Sequence, residues 1–220
     1  MTATLELERV TVTSGWPYDT ALEDFNLSLQ PGELGLVLLE SGQSGSLIAD
    51  LAQGLVDPDA GAVCFLGQPW TSLSAADTAR QRRLIGRVFK THGWLSNLDV
   101  DENILLAQRH HGALPPEQLQ RRAAELARQL GLDGLPQRRP TLLSPHKLRL
   151  AQWVRALLGE KRLLILENPI HDVYTQTLPK LAAMLDAARA NGTAVLWITH
   201  EPDLAEFERM HIAATSKHRL

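Results

Sequence analysis

Four short stretches hold the residues whose types and spacing could do chemistry. The first, "LLESGQSGSLIADLAQGL" from Leu38 to Leu55, has the outline of a phosphate-binding loop running into a helix. Such a loop is written G-x-x-x-x-G-K-[ST]. Its glycines let backbone N–H groups close around phosphates at a helix N-terminus, the lysine neutralises the β and γ oxygens, and the hydroxyl holds Mg²⁺. Aligned through the helix that follows, Gly42 and Ser46 fall on the middle glycine and the hydroxyl. Leu39 and Ser44 replace the outer glycines, and Gly45 replaces the lysine. The second stretch, "LLILENP", closes an apolar run with Glu167 and Asn168; an asparagine orients a water through its carbonyl but cannot act as a base. The third, "LWITHEPD", puts His200 at the end of a buried run, and the fourth, "LSPHK", sets Ser144 and Pro145 as an N-cap and N1 pair before His146 and Lys147. Phosphoryl transfer needs charge compensation, a metal and a positioned water, and a loop without its lysine weakens the first.

Each stretch also has a plainer reading. "LLILENP" alone is a buried strand and a proline turn, His200 a hydrogen-bonded strand end, and "LSPHK" a capped helix with a surface lysine. The other histidines, including His110, His111 and His171, show no metal-ligand spacing and read as surface residues.

The bulk properties narrow the class. A chain of 220 residues with 44% apolar content supports one large domain or one domain with an inserted subdomain. A net charge of -3 leaves no footprint for nucleic acid or anionic lipid, and the pairs Arg82-Arg83, Arg121-Arg122 and Arg138-Arg139 read as solvated surface. The single cysteine, Cys64, excludes an intrachain disulfide and, in the run "AVCFL", reads as core. No run approaches the ~20 apolar residues of a membrane helix, and the N-terminus lacks signal-peptide character.

The elements that must position these residues alternate. "LELERVTV" and "FNLSLQ" read as half-buried strands, "ELGLVLLE" as a strand buried on both faces, "SLIADLAQGL" as a helix and "GAVCFLGQPW" as another strand. From about Leu84 to Leu157 the pattern turns helical, with "PPEQLQRRAAELARQLGL" opening on prolines and closing at a glycine. Strand "RLLILE", helix "LPKLAAMLDAARANG" and strand "TAVLWITH" then restore the alternation, which argues for an α/β sheet.

In order and spacing, residues 5 to 210 resemble the ATPase subunit of an ABC transporter, most closely the short importer, lipid-transport or division-type subunits. "GLVDPDAGAVCFLGQPW" resembles that family's hairpin after the P-loop. "RRLIGRVFKTHGWLSNLDVDENI" resembles its Q-loop region with Lys90 for glutamine, and "LLSPHKLRLAQWVRALL" its signature helix with "LSPHK" for LSGGQ. "LLILENP" is similar to Walker B, with Glu167 for aspartate and Asn168 for the catalytic glutamate, and His200 stands at the switch histidine. "IHDVY" departs from the usual dimer-facing loop, and Ser14 takes the place of the adenine-stacking aromatic, with Trp16 and Tyr18 as alternatives.

The resemblance implies a P-loop NTPase fold of ABC ATPase type: a mixed sheet core, an antiparallel β subdomain and a helical insert. It further implies a single domain, with the α/β core at about 1–90 and 158–220 and the helical subdomain at about 91–157. The degenerate nucleotide-binding positions are Gly42, Ser44, Gly45, Ser46 and Lys90, and the degenerate catalytic ones are Glu167, Asn168 and His200. Lys90 either supplies a substitute charge or is an exposed loop lysine. The signature-like positions are Ser144, Pro145, His146 and Lys147, and Phe89, Trp94 and Leu95 fall where a permease docks. The expectation is a catalytically degenerate subunit, with no cofactor beyond weakly bound ATP and Mg²⁺. Its partners are an active ATPase subunit or a second copy, and a membrane permease at the inner face of the cell membrane; no nucleic acid is involved. The alternative is a divergent but working ATP-binding subunit that couples hydrolysis to transport.

Overall fold

The computed structural model describes residues 2–13, 17–40, 42–91, 93–111, 114–200 and 204–220. Alternating hydrophobicity does at the N-terminus what it should. Leu5–Val12 (β1) and Leu22–Leu29 (β2) pair antiparallel, each burying one face. Leu34–Leu39 (β3) is buried at every residue and leads to the helix Ser46–Ala52 (α1). Ala60–Phe65 (β4) turns back through Leu66 and Gly67, both at positive φ (+50° and +75°), into Gln68–Pro69 (β5). These strands form a four-stranded sheet in the order β2-β1-β4-β5.

Ala75–Arg82 (α2) is capped by Ser74, whose hydroxyl accepts from the Asp77 N–H, and carries Arg80 and Arg82 in its last turn. Ile85–Val88 (β6) follows, then Val100–His111 (α3), Pro116–Gln129 (α4) and Pro145–Leu157 (α5). Leu163–Glu167 (β7), Leu178–Ala190 (α6), Ala194–His200 (β8), Leu204–Arg209 (α7) and Ser216–Arg219 (β9) complete the order. The second sheet is parallel throughout, in the order β6-β7-β8-β3-β9.

The parallel sheet divides the core in two. Leu36, Leu166, Val195 and Trp197 face the helical side with Trp153, Leu150 and Leu181. Val37, Ile165, Leu196 and Ile198 face the other side, with α1 and the inner residues of the antiparallel sheet. Burial on both faces is why these strands read as unbroken apolar runs.

Three expectations change. The helical stretch does not begin at Leu84, because Ile85–Val88 is a strand of the parallel sheet and the helices start after it. Cys64 is half-buried on the face of β4 away from the core, where burial, then Glu6 and Glu8, push its thiol up. Arg82 is not simply solvated; its guanidinium donates to the carbonyls of Gln53 (2.9 Å) and Gly54.

The contact between β6 and α5 leaves no space for a side chain at Gly86. A Cβ there would lie 2.0 Å from the carbonyl oxygen of Ala156, which is backbone and cannot rotate aside. Gly86→Ala is expected to lower the unfolding free energy by about 3 kcal/mol in urea titration, since overpacking against main chain forces a backbone shift. A loss below about 1 kcal/mol would mean that the strand and helix separate easily.

Candidate functional site

Strand register brings the predicted residues together. In the parallel sheet Leu39 of β3 lies opposite His200 of β8, and Glu167 of β7 opposite Ile198. The chain after β3, the loop before α1 and the ends of β7 and β8 therefore meet at one edge, outside the carboxyl ends of the strands, where open α/β sheets build their sites.

The loop is closed upon itself. Gly42 is exposed at φ +91°, a conformation that favours glycine, which accounts for its retention. The N–H of Gln43 donates to the Glu40 carbonyl (3.2 Å), that of Ser44 to the Thr20 hydroxyl (2.8 Å) and that of Ser46 to the Ser44 hydroxyl (3.4 Å). Three of the loop amides, those of Gln43, Ser44 and Ser46, thus have acceptors within the chain. Gly45 is buried, and a Cβ at this position would lie 2.4 Å from Cγ2 of Ile198 and 3.2 Å from Cδ1 of Leu39. In this conformation the position tolerates no side chain.

Beneath the loop, two carboxylates share one guanidinium. Arg87 rises from β6 with a side chain 6% exposed; its Nε donates to Oε1 of Glu167 at 2.7 Å, and its Nη1 to Oδ1 of Asp50 and to Oε1 of Gln53 at 2.8 Å. The other Glu167 oxygen, Oε2, accepts from the Ser46 hydroxyl at 3.1 Å. The other Asp50 oxygen, Oδ2, accepts from the Tyr18 hydroxyl at 2.7 Å. Burial and the bond to Asp50 push the Tyr18 phenol up to about 12, so it remains a donor. Burial alone would lower Arg87, but the two carboxylates outweigh it and hold the guanidinium above its ordinary range. Removing one partner from a buried pair of this kind costs about 3–5 kcal/mol.

Asn168 and His200 complete the edge. Asn168 takes φ +43°, a left-handed conformation that asparagine tolerates better than most residues, and its Nδ2 lies 3.4 Å from Nδ1 of His200. Nε2 of His200 lies 3.1 Å from the Gln43 carbonyl, so the histidine bridges the end of β7 to the loop.

The remaining predicted residues lie in other settings. Lys90 is exposed, and its carbonyl, like that of Phe89, accepts from Arg149 (3.2 and 2.7 Å). Arg149, 1% exposed, also donates from Nε to the His171 carbonyl at 3.1 Å. Ser144 caps α5 by accepting from the Lys147 N–H; Ser144, Pro145 and Lys147 are exposed. The His146 ring stacks on Tyr174 with centroids 3.9 Å apart, joining the signature-like segment to "IHDVY". Phe89 and Trp94 are half-buried against Arg155, whose guanidinium lies 5.3 and 4.5 Å from the two rings, and Trp94 packs on the core. Leu95 is 49% exposed and shares with Leu106, 47% exposed, a groove of about 340 Å³.

Sequence reasoning missed Arg87, Asp50, Gln53 and Thr20. An arginine inside the apolar run "LIGRVF" was the only available signal. Ser14 and Trp16 lie outside the described residues, and Tyr18, bonded to Asp50 and packed on the core, is not a free ring.

Known proteins share this sequence pattern and this fold. The profile described as "ABC transporter" matches residues 22–171. The chain is 35% identical over 201 residues to the lipoprotein-releasing system ATP-binding protein LolD of Maricaulis maris (strain MCS10), covering 90% of this chain and 87% of that protein. It is 29% identical over 195 residues to the phosphonates import ATP-binding protein PhnC of Alcaligenes faecalis, covering 85% and 71%. Among solved structures, a dimeric bacterial ABC transporter cassette superimposes with a TM-score of 0.81 at 24% identity, covering 92% and 90%. A post-hydrolysis cassette bound to ADP and Pi gives 0.79 at 23%, covering 91% and 90%. By its sequence match and its fold, the chain belongs to the family of ABC transporter ATP-binding subunits.

Proposed function

We propose that this chain is a catalytically degenerate ATP-binding subunit, a structural or regulatory partner of an active ATPase subunit and of a membrane permease. The observation that carries this reading is Gly45: the position of the phosphate-binding lysine is packed against Ile198 with no room for a Cβ. The bonds that already engage the Ser44 and Ser46 amides, and asparagine at position 168 where the family resemblance places a catalytic glutamate, act in the same direction. A second reading, a divergent working ATPase, has in its favour the similarity to two proteins named as ATP-binding. Turnover by the purified chain, alone and with its partner, separates the two.

The proposed permease contact is supported by the exposed pair Leu95 and Leu106, which line one groove together with Phe89 and Arg155. No helix among the described residues is long and apolar enough to cross a membrane, so the proposed place at the membrane's inner face rests on such a contact.

Three outcomes are expected. Isothermal calorimetry on the isolated chain should give an ATP–Mg²⁺ affinity at least tenfold weaker than that of an intact P-loop subunit measured alongside, because a lost cation contact in a low-dielectric site is worth about 3 kcal/mol. Micromolar binding would refute the reading. Second, Gly45→Lys with Asn168→Glu should not restore turnover. The lysine meets Ile198, and a glutamate at φ +43° costs about 1–2 kcal/mol of backbone strain. ATPase activity at the level of an intact subunit would disprove it. Third, Leu95→Ala with Leu106→Ala should abolish co-purification with the permease from native membranes while leaving the melting temperature within a degree or so, since exposed positions contribute little to folding. Retained co-purification would move the docking surface elsewhere.

A further inference from the structure

The residues present do not fit the divalent cation that a nucleotide would bring. The hydroxyl and carboxylate that would hold it, Ser46 and Glu167, are bonded to each other at 3.1 Å, and the second Glu167 oxygen is bonded to Arg87 at 2.7 Å. All four oxygens of Glu167 and Asp50 have a donor from this chain: Arg87 twice, Ser46 and Tyr18.

We propose that Arg87 is the resident cation of this site, an internal guanidinium that takes over charge compensation from a metal ion and excludes divalent cations from Glu167. The inference rests on the degenerate-subunit reading and gives the disfavoured metal a physical cause. It goes beyond the missing lysine, because Arg87 stands on β6 rather than in the loop before α1 and acts on the carboxylate that would hold the metal rather than on the phosphates.

Three features make Arg87 more than a surface ion pair. Its side chain is 6% exposed, against 4% for Glu167 and 20% for Asp50, so the interaction is shielded from solvent and salt. Its planar fork fixes direction: Nε serves Glu167 while Nη1 serves Asp50 and Gln53, an arrangement a metal ion with near-octahedral demands cannot share. The Phe89 ring, 4.6 Å from the guanidinium carbon, covers its face. Two carboxylates against one guanidinium leave one formal negative charge, and the Ser46 and Tyr18 hydroxyls donate to the carboxylate oxygens that Arg87 does not reach. A divalent ion entering this arrangement has to displace the guanidinium or sit beside it, and both are unfavourable.

The test uses the full chain without nucleotide and reads free Mn²⁺ by electron paramagnetic resonance. Wild type should leave the Mn²⁺ signal unchanged at millimolar metal. Arg87→Met, which keeps length and packing but removes the charge, should bind Mn²⁺ at least tenfold more tightly than wild type and release it to Mg²⁺. Arg87→Met with Glu167→Gln should lose that gain. A merely structural arginine would produce no such gain. The proposal is overturned if wild type binds Mn²⁺ as tightly as Arg87→Met through Glu167, or if a folded Arg87→Met gains nothing. Should Arg87→Met fold poorly in metal-free buffer, its melting temperature should rise with added Mn²⁺, and the double variant should melt above the single one. A single variant unmoved by Mn²⁺ together with a double variant melting no higher also overturns it. Since no nucleotide is present, failure here leaves the closed-loop reading intact, whereas micromolar ATP–Mg²⁺ binding by wild type removes that reading directly.

Discussion

The pairing of β8 between β3 and β7 is the constraint from which the site follows. Once Leu39 lies opposite His200 and Ile198 opposite Glu167, the ends of three buried strands arrive at one edge. The chain leaving β3 must then cross over Ile198 to begin α1. It passes so closely that Gly45 is the residue at the crossing, and the amides on either side turn to Thr20, Glu40 and Ser44. The register cannot slip by one residue without exchanging the two apolar faces, so the edge is as fixed as the core.

Charge at this edge is handled in the same closed manner. Burying two carboxylates is costly unless each is paired and hydrogen-bonded. Arg87 pairs with both, while Ser46 and Tyr18 satisfy the remaining oxygens. The result is a network drawn from four parts of the chain: Arg87 of β6, Glu167 of β7, Ser46 and Asp50 of α1, and Tyr18 of the segment before β2. Loss of any member strands another in a medium that solvates it poorly.

Most of the framework was legible in the order of apolar runs, because strands buried on both faces leave few polar interruptions. β3, β7 and β8 are of this kind. β6 escaped because it has four residues, one of them arginine, and follows the charged α2; β9, "SKHR", carries no apolar pattern at all. At the site, Gly45, Ser46, Glu167, Asn168 and His200 were readable because motif spacing preserves them locally. Arg87 and Asp50 were not, since their roles arise from contacts 80 and 37 residues apart. A charged residue in a short strand reads as surface until its partners are placed. Phe89 and Trp94 were readable as large aromatic side chains in a polar context, but not their packing against Arg155, which lies 60 or more residues away in the chain.

Arg149 has a mechanical consequence. Its guanidinium holds the carbonyls of Phe89 and Lys90 with one end and that of His171 with Nε, while its backbone belongs to α5. Three segments from distant parts of the chain are thereby clamped to one nearly rigid plane of atoms. Releasing any of them would leave a donor of a buried cation unmet, which makes the clamp stiff to small displacements. The Phe89–Lys90 stretch therefore cannot move away from His171 without breaking one of these bonds or carrying α5 with it.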